Sequence, residues 1–319
     1  MKVFLTGATG VAGRIVVPEL VAAGYEVRAV SRRAEAAEEL RAAGAEPVVV
    51  DLFDPGAVTG AVAGSDAVVH LATNVPALRQ AARPSGWDMH NRLRVEATTN
   101  LVAAARTTGA ARFVKESITF VYRDAGDAWI DEDAPLLESP ALLESTITGE
   151  DLALGFAPDG TAVVLRFGLF YGGAGNRGTE EALRLARWRR STVAGAPGAY
   201  MSSIHAQDVA TAVVAALGVP TGIYNVVDDE PLTRQAYLDA FTGAFGIPRV
   251  KPIPPTLMKL AGRGNAAGLV ASQRVSNRKF REASGWAPRH PSAVEGWSQV
   301  ARRAAVPSGG SGERKEVGE

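Results

Sequence analysis

A glycine-spaced turn near the N-terminus constrains the fold more than any other feature of the chain. In the segment VFLTGATGVAGRIVVPEL, Gly7, Gly10 and Gly13 lie between an apolar run and an amphipathic run. The first glycine permits a tight strand-to-helix turn, the second lets the backbone approach a pyrophosphate, and the third allows close helix-to-strand packing. Backbone N–H groups at the helix start, around Val11 and Ala12, then face the anion. The segment predicts a dinucleotide-binding turn.

The first half of the chain alternates short apolar runs with longer helical patterns. Runs such as AVVHLA and EPVVVDL show no polar alternation, which is typical of strands buried on both faces. Candidate strands are 2–6, 26–30, 46–50, 66–71, 111–117 and 161–167, and candidate helices lie near 11–23, 35–43, 56–63, 87–108 and 140–156. The alternation predicts an α/β fold with a Rossmann-type doubly wound parallel sheet.

The residues after the second predicted strand indicate which dinucleotide is bound. Ser31, Arg32 and Arg33 stand where an NAD-binding protein usually presents an acidic residue to the ribose 2′-hydroxyl. Arginine instead accommodates a 2′-phosphate through its charge and forked hydrogen bonds. We therefore expect NADP(H) as the cofactor.

The remaining cofactor contacts are expected at the carboxyl ends of the predicted strands, where open α/β sheets bind their ligands. Asp51 and Leu52 are placed to meet the adenine, and the segment HLAT, 70–73, to line the nicotinamide side. The full expected set is Gly7, Thr9, Gly10, Val11, Ala12, Gly13, Ser31, Arg32, Arg33, Asp51, Leu52, Leu71, Ala72, Thr73, Phe167 and Leu169.

Beyond residue 168 the alternating pattern loosens into segments rich in glycine and proline. We expect an NADP-binding domain of residues 1–168 with 204–230. A smaller, discontinuous C-terminal substrate lobe would comprise 169–203 with 231–305. The polar segment 306–319 reads as a flexible tail that cannot bury a core.

Composition excludes several other classes of protein. The 319 residues carry 34 basic and 34 acidic side chains, a net charge of +0 that argues against a nucleic-acid surface. The chain has no cysteine, which excludes disulfides, thiolate metal sites and a cysteine nucleophile, and its four histidines show no metal-ligand spacing. No apolar run is long enough to span a bilayer. We expect a cytoplasmic protein without a metal ion or a membrane partner, and leave its oligomeric state open.

Taken in order, these motifs resemble the extended short-chain dehydrogenase/reductase family, also called the NAD-dependent epimerase/dehydratase family. The resemblance covers nearly all of residues 1–300. It rests on TGATGVAG, DAVVHLAT, RVEATTNLVAAA, RFVKESITFVY, AVVLRFGLFYGG, SSIHAQDVATAV, GIYNVVDDEPLT and SNRKFREASGWAPRHP. It implies an oxidoreductase with a nicotinamide cofactor.

The residues that usually catalyse the reaction in this family are all replaced. The family uses Asn, Ser or Thr, Tyr and Lys, with the last two spaced Y-x-x-x-K so that the ammonium lowers the phenol's pKa. Those positions fall here on Arg94, Ile118, Leu142 and Thr146, and none of the chain's tyrosines is followed by a lysine four residues later. The resemblance therefore implies a cofactor site without the usual proton donor.

Loss of this acid does not by itself prevent reduction. General acid catalysis contributes roughly 10²–10⁴-fold, whereas positioning of donor and acceptor contributes about 7–11 kcal/mol. A ketone with a neighbouring phenol carries its own proton donor. We therefore expect an NADPH-dependent ketoreductase of an aromatic polyketide of the angucyclinone type in antibiotic biosynthesis, with substrate-assisted protonation. Expected substrate-lining residues are Thr73, Ser117, Ile118, Leu142, Thr146, Tyr171 and Met201.

Two other functions fit the same residues. A non-redox regulator that senses NADP and binds protein partners would need no tetrad, and would have a shallow or plugged substrate pocket. A non-redox isomerase or cyclase would use the cofactor cleft as a shaped cavity, and its turnover would not depend on added NADPH.

Overall fold

The computed structural model describes residues 1–31, 33–76, 83–138, 143–173, 175–260 and 267–305. Its strands are β1 (Lys2–Thr6), β2 (Glu26–Val30), β3 (Glu46–Val48), β4 (Ala67–His70), β5 (Arg112–Ile118), β6 (Trp129–Ile130), β7 (Thr161–Phe167), β8 (Leu169–Tyr171), β9 (Tyr200–Met201), β10 (Ser203–His205), β11 (Gly222–Val226), β12 (Leu232–Thr233) and β13 (Arg274–Val275).

The helices follow the same order along the chain. They are α1 (Gly13–Ala22), α2 (Ala34–Ala42), α3 (Pro55–Val62), α4 (Asp88–Arg92), α5 (Thr98–Thr108), α6 (Glu144–Leu154), α7 (Arg177–Ala186), α8 (Ala206–Ala216), α9 (Arg234–Ala244), α10 (Pro255–Leu260), α11 (Ala267–Val270), α12 (Arg278–Ser284) and α13 (Ala293–Ala305). A π-helical turn, Leu93–Ala97, joins α4 to α5.

Seven of the strands form one parallel sheet in the order β11-β7-β5-β4-β1-β2-β3. Alternate side chains of each strand enter different cores, since successive residues of a strand point to opposite faces. On β1, Val3 and Leu5 pack into one core, and Phe4 into the other. This Rossmann-type α/β fold confirms the predicted fold class, and it brings the carboxyl ends of all seven strands to one edge.

A third core lies away from the central sheet. Tyr171 of β8, Tyr237 of α9 and Trp297 of α13 pack together, with ring centroids 5.0–6.1 Å apart. Three short strand pairs, β8 with β10, β9 with β12 and β6 with β13, connect this part of the chain to the rest.

Two of the predicted helices differ from the observed elements. The segment 87–108 is not one regular helix, because the π-helical turn inserts between α4 and α5. The helix predicted over 140–156 begins at Glu144 in the structure, and its expected start at 139–142 lies outside the described residues. The expected tail, 306–319, also lies outside them.

Candidate active site

The glycine turn after β1 is shaped by close backbone approaches. Gly7 has φ +78°, and a Cβ there would strike the backbone of Leu71 at the end of β4. A Cβ at Gly13 would collide with the carbonyl oxygen of Gly7, while the Gly10 N–H donates to that same oxygen at 3.0 Å. Only glycine fits positions 7 and 13, and the turn leaves a cradle lined by main chain.

The N-terminus of α1 opens into this cradle. Its N-cap, Ala12, makes no side-chain capping bond to the described residues, and the first turn of the helix holds no acidic residue. The free N–H groups and the positive end of the helix dipole therefore suit an anion. Thr9 and Val11 are half-buried in the same turn. These residues fit the pyrophosphate of a dinucleotide.

The segment after β2 has a fixed backbone and an exposed cation. Ser31 is buried, and its hydroxyl donates to the carbonyl oxygen of Arg33 at 3.0 Å. Arg33 is exposed at the N-cap of α2. Arg32, the other arginine expected at the 2′-phosphate, lies outside the described residues.

The ends of β3, β4 and β7 supply the remaining expected cofactor residues. Asp51 is exposed and accepts from the Phe53 N–H, and the carbonyl of the buried Leu52 accepts from Asn100 at 3.0 Å. At the other three strand-end positions exposure rises from one residue to the next: Leu71 is buried, Ala72 half-buried and Thr73 exposed. Phe167 is buried and Leu169 half-buried at the end of β7.

The position of the family's Asn holds a buried arginine. Arg94 is 1% exposed on the π-helical turn, and its Nη2 donates to Glu116 Oε1 at 3.2 Å. Its Nε donates to His90 Nε2 at 2.9 Å, and Nη1 has no hydrogen-bond partner among the described residues. Arg94 therefore links β5 to α4.

His90 continues this chain of contacts to the edge of the sheet. Its Nδ1 lies 3.2 Å from the hydroxyl of Thr73. Burial, and then the charges of Arg94 and Lys115, lower the pKa of His90 to about 3. The imidazole is therefore neutral at physiological pH.

Ser117, beside the family's Ser position, belongs to a second buried polar cluster. Its hydroxyl donates to Glu150 of α6, which forms a bidentate ion pair with Arg166 of β7, Nη2 to Oε2 being 2.6 Å. Arg166 Nη1 also donates to the Tyr122 hydroxyl at 2.9 Å. Ile118 is half-buried next to this cluster.

The positions of the family's Tyr and Lys carry no ionisable group. Leu142 lies outside the described residues, and Thr146 is fully buried with no partner for its hydroxyl in the described part of the chain. One turn further along α6, a Cβ at Gly149 would lie 2.6 Å from the Arg94 carbonyl oxygen and 2.9 Å from Lys115 Cε. Burial, and then the charge of Arg94, lower the pKa of Lys115 to about 7.

The sequence did not reveal His90, Lys115, Glu116, Glu150 or Arg166 as site residues. One signal was present: RFVKESITF places two charged residues inside an otherwise apolar strand pattern. A buried charge needs a partner, because desolvation is costly. That pair therefore predicts oppositely charged residues on the neighbouring elements.

Tyr171 and Met201, two expected substrate-lining residues, lie in the third core. Tyr171 is 1% exposed, and its hydroxyl donates to the Ser292 carbonyl at 3.3 Å. Met201 is 5% exposed in the same core. Their packing stabilises this part of the fold.

Three potential metal ligands do come together within the described residues. Ligand atoms of His205, Asp208 and His290 lie within 4.8 Å of one another. However, His290 Nδ1 is 2.7 Å from Asp208 Oδ2, and its Nε2 is 2.6 Å from Gln299 Oε1. These atoms therefore bond to each other and join α8 to the segment before α13.

Comparison with known proteins identifies the family. The profile of the NAD dependent epimerase/dehydratase family matches residues 3–226. The chain belongs to this family. A Streptomyces protein named 3-diazoavenalumate denitrifying reductase is 35% identical over 314 residues, covering 93% of this chain and 99% of that protein.

Two further proteins are similar to this chain. A Stigmatella aurantiaca protein named 4-hydroxy-2-methyl-3-oxo-4-farnesyl-3,4-dihydroquinoline-1-oxide ketoreductase is 28% identical over 253 residues, covering 77% of this chain and 74% of that protein. The human epimerase family protein SDR39U1, solved with NADPH, superposes with a TM-score of 0.79 at 23% identity, covering 95% of this chain and 99% of that one. This last likeness shows the shared fold.

In the described part of the chain, no helix has the length and apolarity to cross a membrane.

Proposed function

We propose that this protein is an NADPH-dependent reductase of a small aromatic molecule, and that it delivers hydride to a ketone which carries its own proton donor. The observation that carries the proposal is an intact dinucleotide-binding turn in a chain whose four usual catalytic positions hold neither the tyrosine nor the lysine of the family. Gly7 and Gly13 shape the turn, whereas Arg94 and Thr146 occupy two of the four tetrad positions.

The choice of NADPH rests on Arg33. Its side chain is exposed after β2, and no acidic residue stands between Ser31 and Ala34 to receive a ribose 2′-hydroxyl. A guanidinium forms charge-assisted hydrogen bonds to a phosphate. Bound at the turn, the cofactor would supply hydride from its nicotinamide, and the chain's own groups would hold it against the substrate.

The proposed substrate is an aromatic polyketide ketone with a neighbouring phenol, of the angucyclinone type. The absent tetrad beside an NADP turn resembles the ketoreductase of simocyclinone biosynthesis, which acts on an angucyclinone carbonyl. Hydride adds to the carbonyl carbon, the C=O π electrons move to oxygen, and the phenol transfers its proton to that oxygen. Solvent then reprotonates the phenolate. No side chain on α6 needs to ionise.

The proposed site keeps the expected division of the chain. Residues 1–168 with 204–230 would bind NADPH, and 169–203 with 231–305 would cover the substrate. The resemblance to proteins named as reductases supports an enzyme over the non-redox regulator, and turnover without NADPH would instead support the isomerase or cyclase.

One relative favours a second candidate substrate. The protein that is 35% identical is named for a diazo compound. Hydride addition to the terminal nitrogen of an aryl diazonium gives an aryl diazene, which loses dinitrogen while its hydrogen passes to the ring carbon. This reaction also takes no net proton from the enzyme. An aromatic diazo compound is therefore consistent with the missing acid.

Deuteride transfer tests both candidates. We would incubate the protein with C4-deuterated NADPH and either an angucyclinone with a peri-phenol or an aryl diazonium carrying a phenol. We expect deuterium on the new carbinol carbon, NADPH being used in preference to NADH. NADPH oxidation with release of dinitrogen and a hydrogen on the ring carbon would assign the diazo reaction instead, whether or not deuterium is retained, because the N–D of an aryl diazene exchanges with water. Failure to oxidise NADPH with either acceptor would refute a reductase.

A further inference from the structure

We propose that the Thr73 hydroxyl donates a hydrogen bond to the substrate's carbonyl oxygen, and that His90, Arg94 and Glu116 are positioning residues that direct this bond. The inference rests on the proposed ketone reduction. The Thr73 hydroxyl takes the place of the family's tyrosine as a neutral hydrogen-bond donor that stabilises the developing alkoxide. The phenol of the substrate still supplies the proton.

The direction of each hydrogen bond follows from the chemistry of arginine. A guanidinium only donates, so His90 Nε2, 2.9 Å from Arg94 Nε, must accept. The ring proton of the neutral imidazole is then on Nδ1, which lies 3.2 Å from Thr73 Oγ1 and also hydrogen-bonds to the Asn74 backbone. Because Nδ1 carries the proton, Thr73 cannot donate to it, and the Thr73 O–H remains available to a ligand.

The hydrogen-bonded series from Glu116 through Arg94 and His90 to Thr73 begins at buried side chains, where water does not compete for the hydrogen bonds. Glu116, Arg94 and His90 are 6%, 1% and 2% exposed, and the ion pair with Glu116 fixes the Arg94 guanidinium through Nη2 while Nε donates to His90. Protonation of His90 would place an N–H against the Arg94 Nε–H, and burial already holds the pKa of His90 at about 3. The direction of donation is therefore constant over the working pH range.

Thr73 is the member of this hydrogen-bonded series that reaches the expected ligand site. It is exposed and follows β4, the strand between β1 and β5. Two residues earlier, the backbone of Leu71 packs so closely against Gly7 that a Cβ at position 7 would collide with it. This segment therefore borders the cofactor turn. The hydroxyl thus stands at the carboxyl edge of the sheet, where ligands of open α/β folds bind.

The test compares Thr73→Val with Thr73→Ser in ketone reduction. Valine keeps the shape and removes the donor, so we expect kcat and kcat/KM to fall together by about 10²-fold. Serine keeps the donor, and its kcat should stay within about threefold of the wild type. If the hydroxyl binds the substrate, as proposed here, and not the cofactor, as also expected from its place in the segment 70–73, the Kd for NADPH, followed by cofactor fluorescence, stays unchanged in both variants.

The positioning role is tested at His90. His90→Phe removes the donor to Thr73, and we expect about a tenfold fall in kcat through misorientation of the hydroxyl. His90→Asn retains an N–H near the Nδ1 position and should recover part of that loss. Nitrogen-15 NMR of the wild type should show His90 protonated on Nδ1 and bare on Nε2, a measurement that needs no turnover.

The outcomes separate this inference from the proposed function. If the wild type reduces the ketone and Thr73→Val retains its kcat, Thr73 is not the donor. A weaker Kd for NADPH with an unchanged kcat would place the hydroxyl on the cofactor and also overturn the inference. A His90 ring protonated on Nε2 would contradict the hydrogen-bond direction. Absence of ketone reduction by the wild type would refute the proposed function itself, and this inference with it.

Discussion

Removal of the Arg166 guanidinium should expose how much the ion pair under the tetrad site stabilises the fold. Arg166 is 2% exposed, and it donates to both oxygens of Glu150 at 2.6–3.2 Å. In Arg166→Met the buried Glu150 carboxylate keeps only the Ser117 hydroxyl as a side-chain donor among the described residues. Breaking a buried pair from one side typically destabilises a protein by about 3–5 kcal/mol. For a chain of this length that lowers Tm by about 5–8 °C.

A double variant provides the control. In Arg166→Met with Glu150→Leu neither charge of this ion pair remains buried, and such replacements are often neutral or stabilising. Differential scanning calorimetry of the wild type, both single variants and the double variant closes a thermodynamic cycle. A Tm for Arg166→Met equal to the wild type, or a double variant less stable than the single, would refute the assignment of a structural ion pair.

Three further predictions concern the cofactor turn and helix α6. Gly13→Ala should abolish NADPH binding in a fluorescence titration, because its Cβ meets the Gly7 carbonyl oxygen; retained affinity would contradict the cradle. Arg33→Ala should weaken the Kd for NADPH by about 10–100-fold, from about 1.5–3 kcal/mol of charge-assisted hydrogen bonding, and leave the Kd for NADH unchanged. Thr146→Val should raise Tm by about 1–2 °C in a thermal melt, since it removes a buried hydroxyl without a described partner; loss of turnover would instead assign a donor role to Thr146.

Much of the fold could be predicted because its signals are local. The run 161–167 matches β7 to the residue, and the apolar segment before Gly7 matches β1. Unbroken apolar strands and a glycine turn specify a parallel sheet before any long-range contact is known. The family resemblance is confirmed by the match over 3–226.

The polar arrangement of the site was not predictable in the same way. Arg94 follows His90 by four residues, a spacing that places both side chains on one face of a helix, but nothing in LRVEA signals the π-helical turn or the burial of this arginine. Glu150 and Arg166 pair across 16 residues between a helix and a strand. Such pairs depend on how elements pack, whereas sequence patterns report which face of one element is apolar.

The contact between Lys115 and Gly149 bears on how this chain could change over evolutionary time. Lys115 Cε fills the space beside Gly149, on the same face of α6 as Thr146. A lysine restored at position 146 would bring a third cation next to Lys115 and Arg94, in an interior that already lowers the pKa of Lys115. We therefore expect a lysine at position 146 to be tolerated only together with loss of Lys115. A single substitution at that position would not recover the family's usual arrangement.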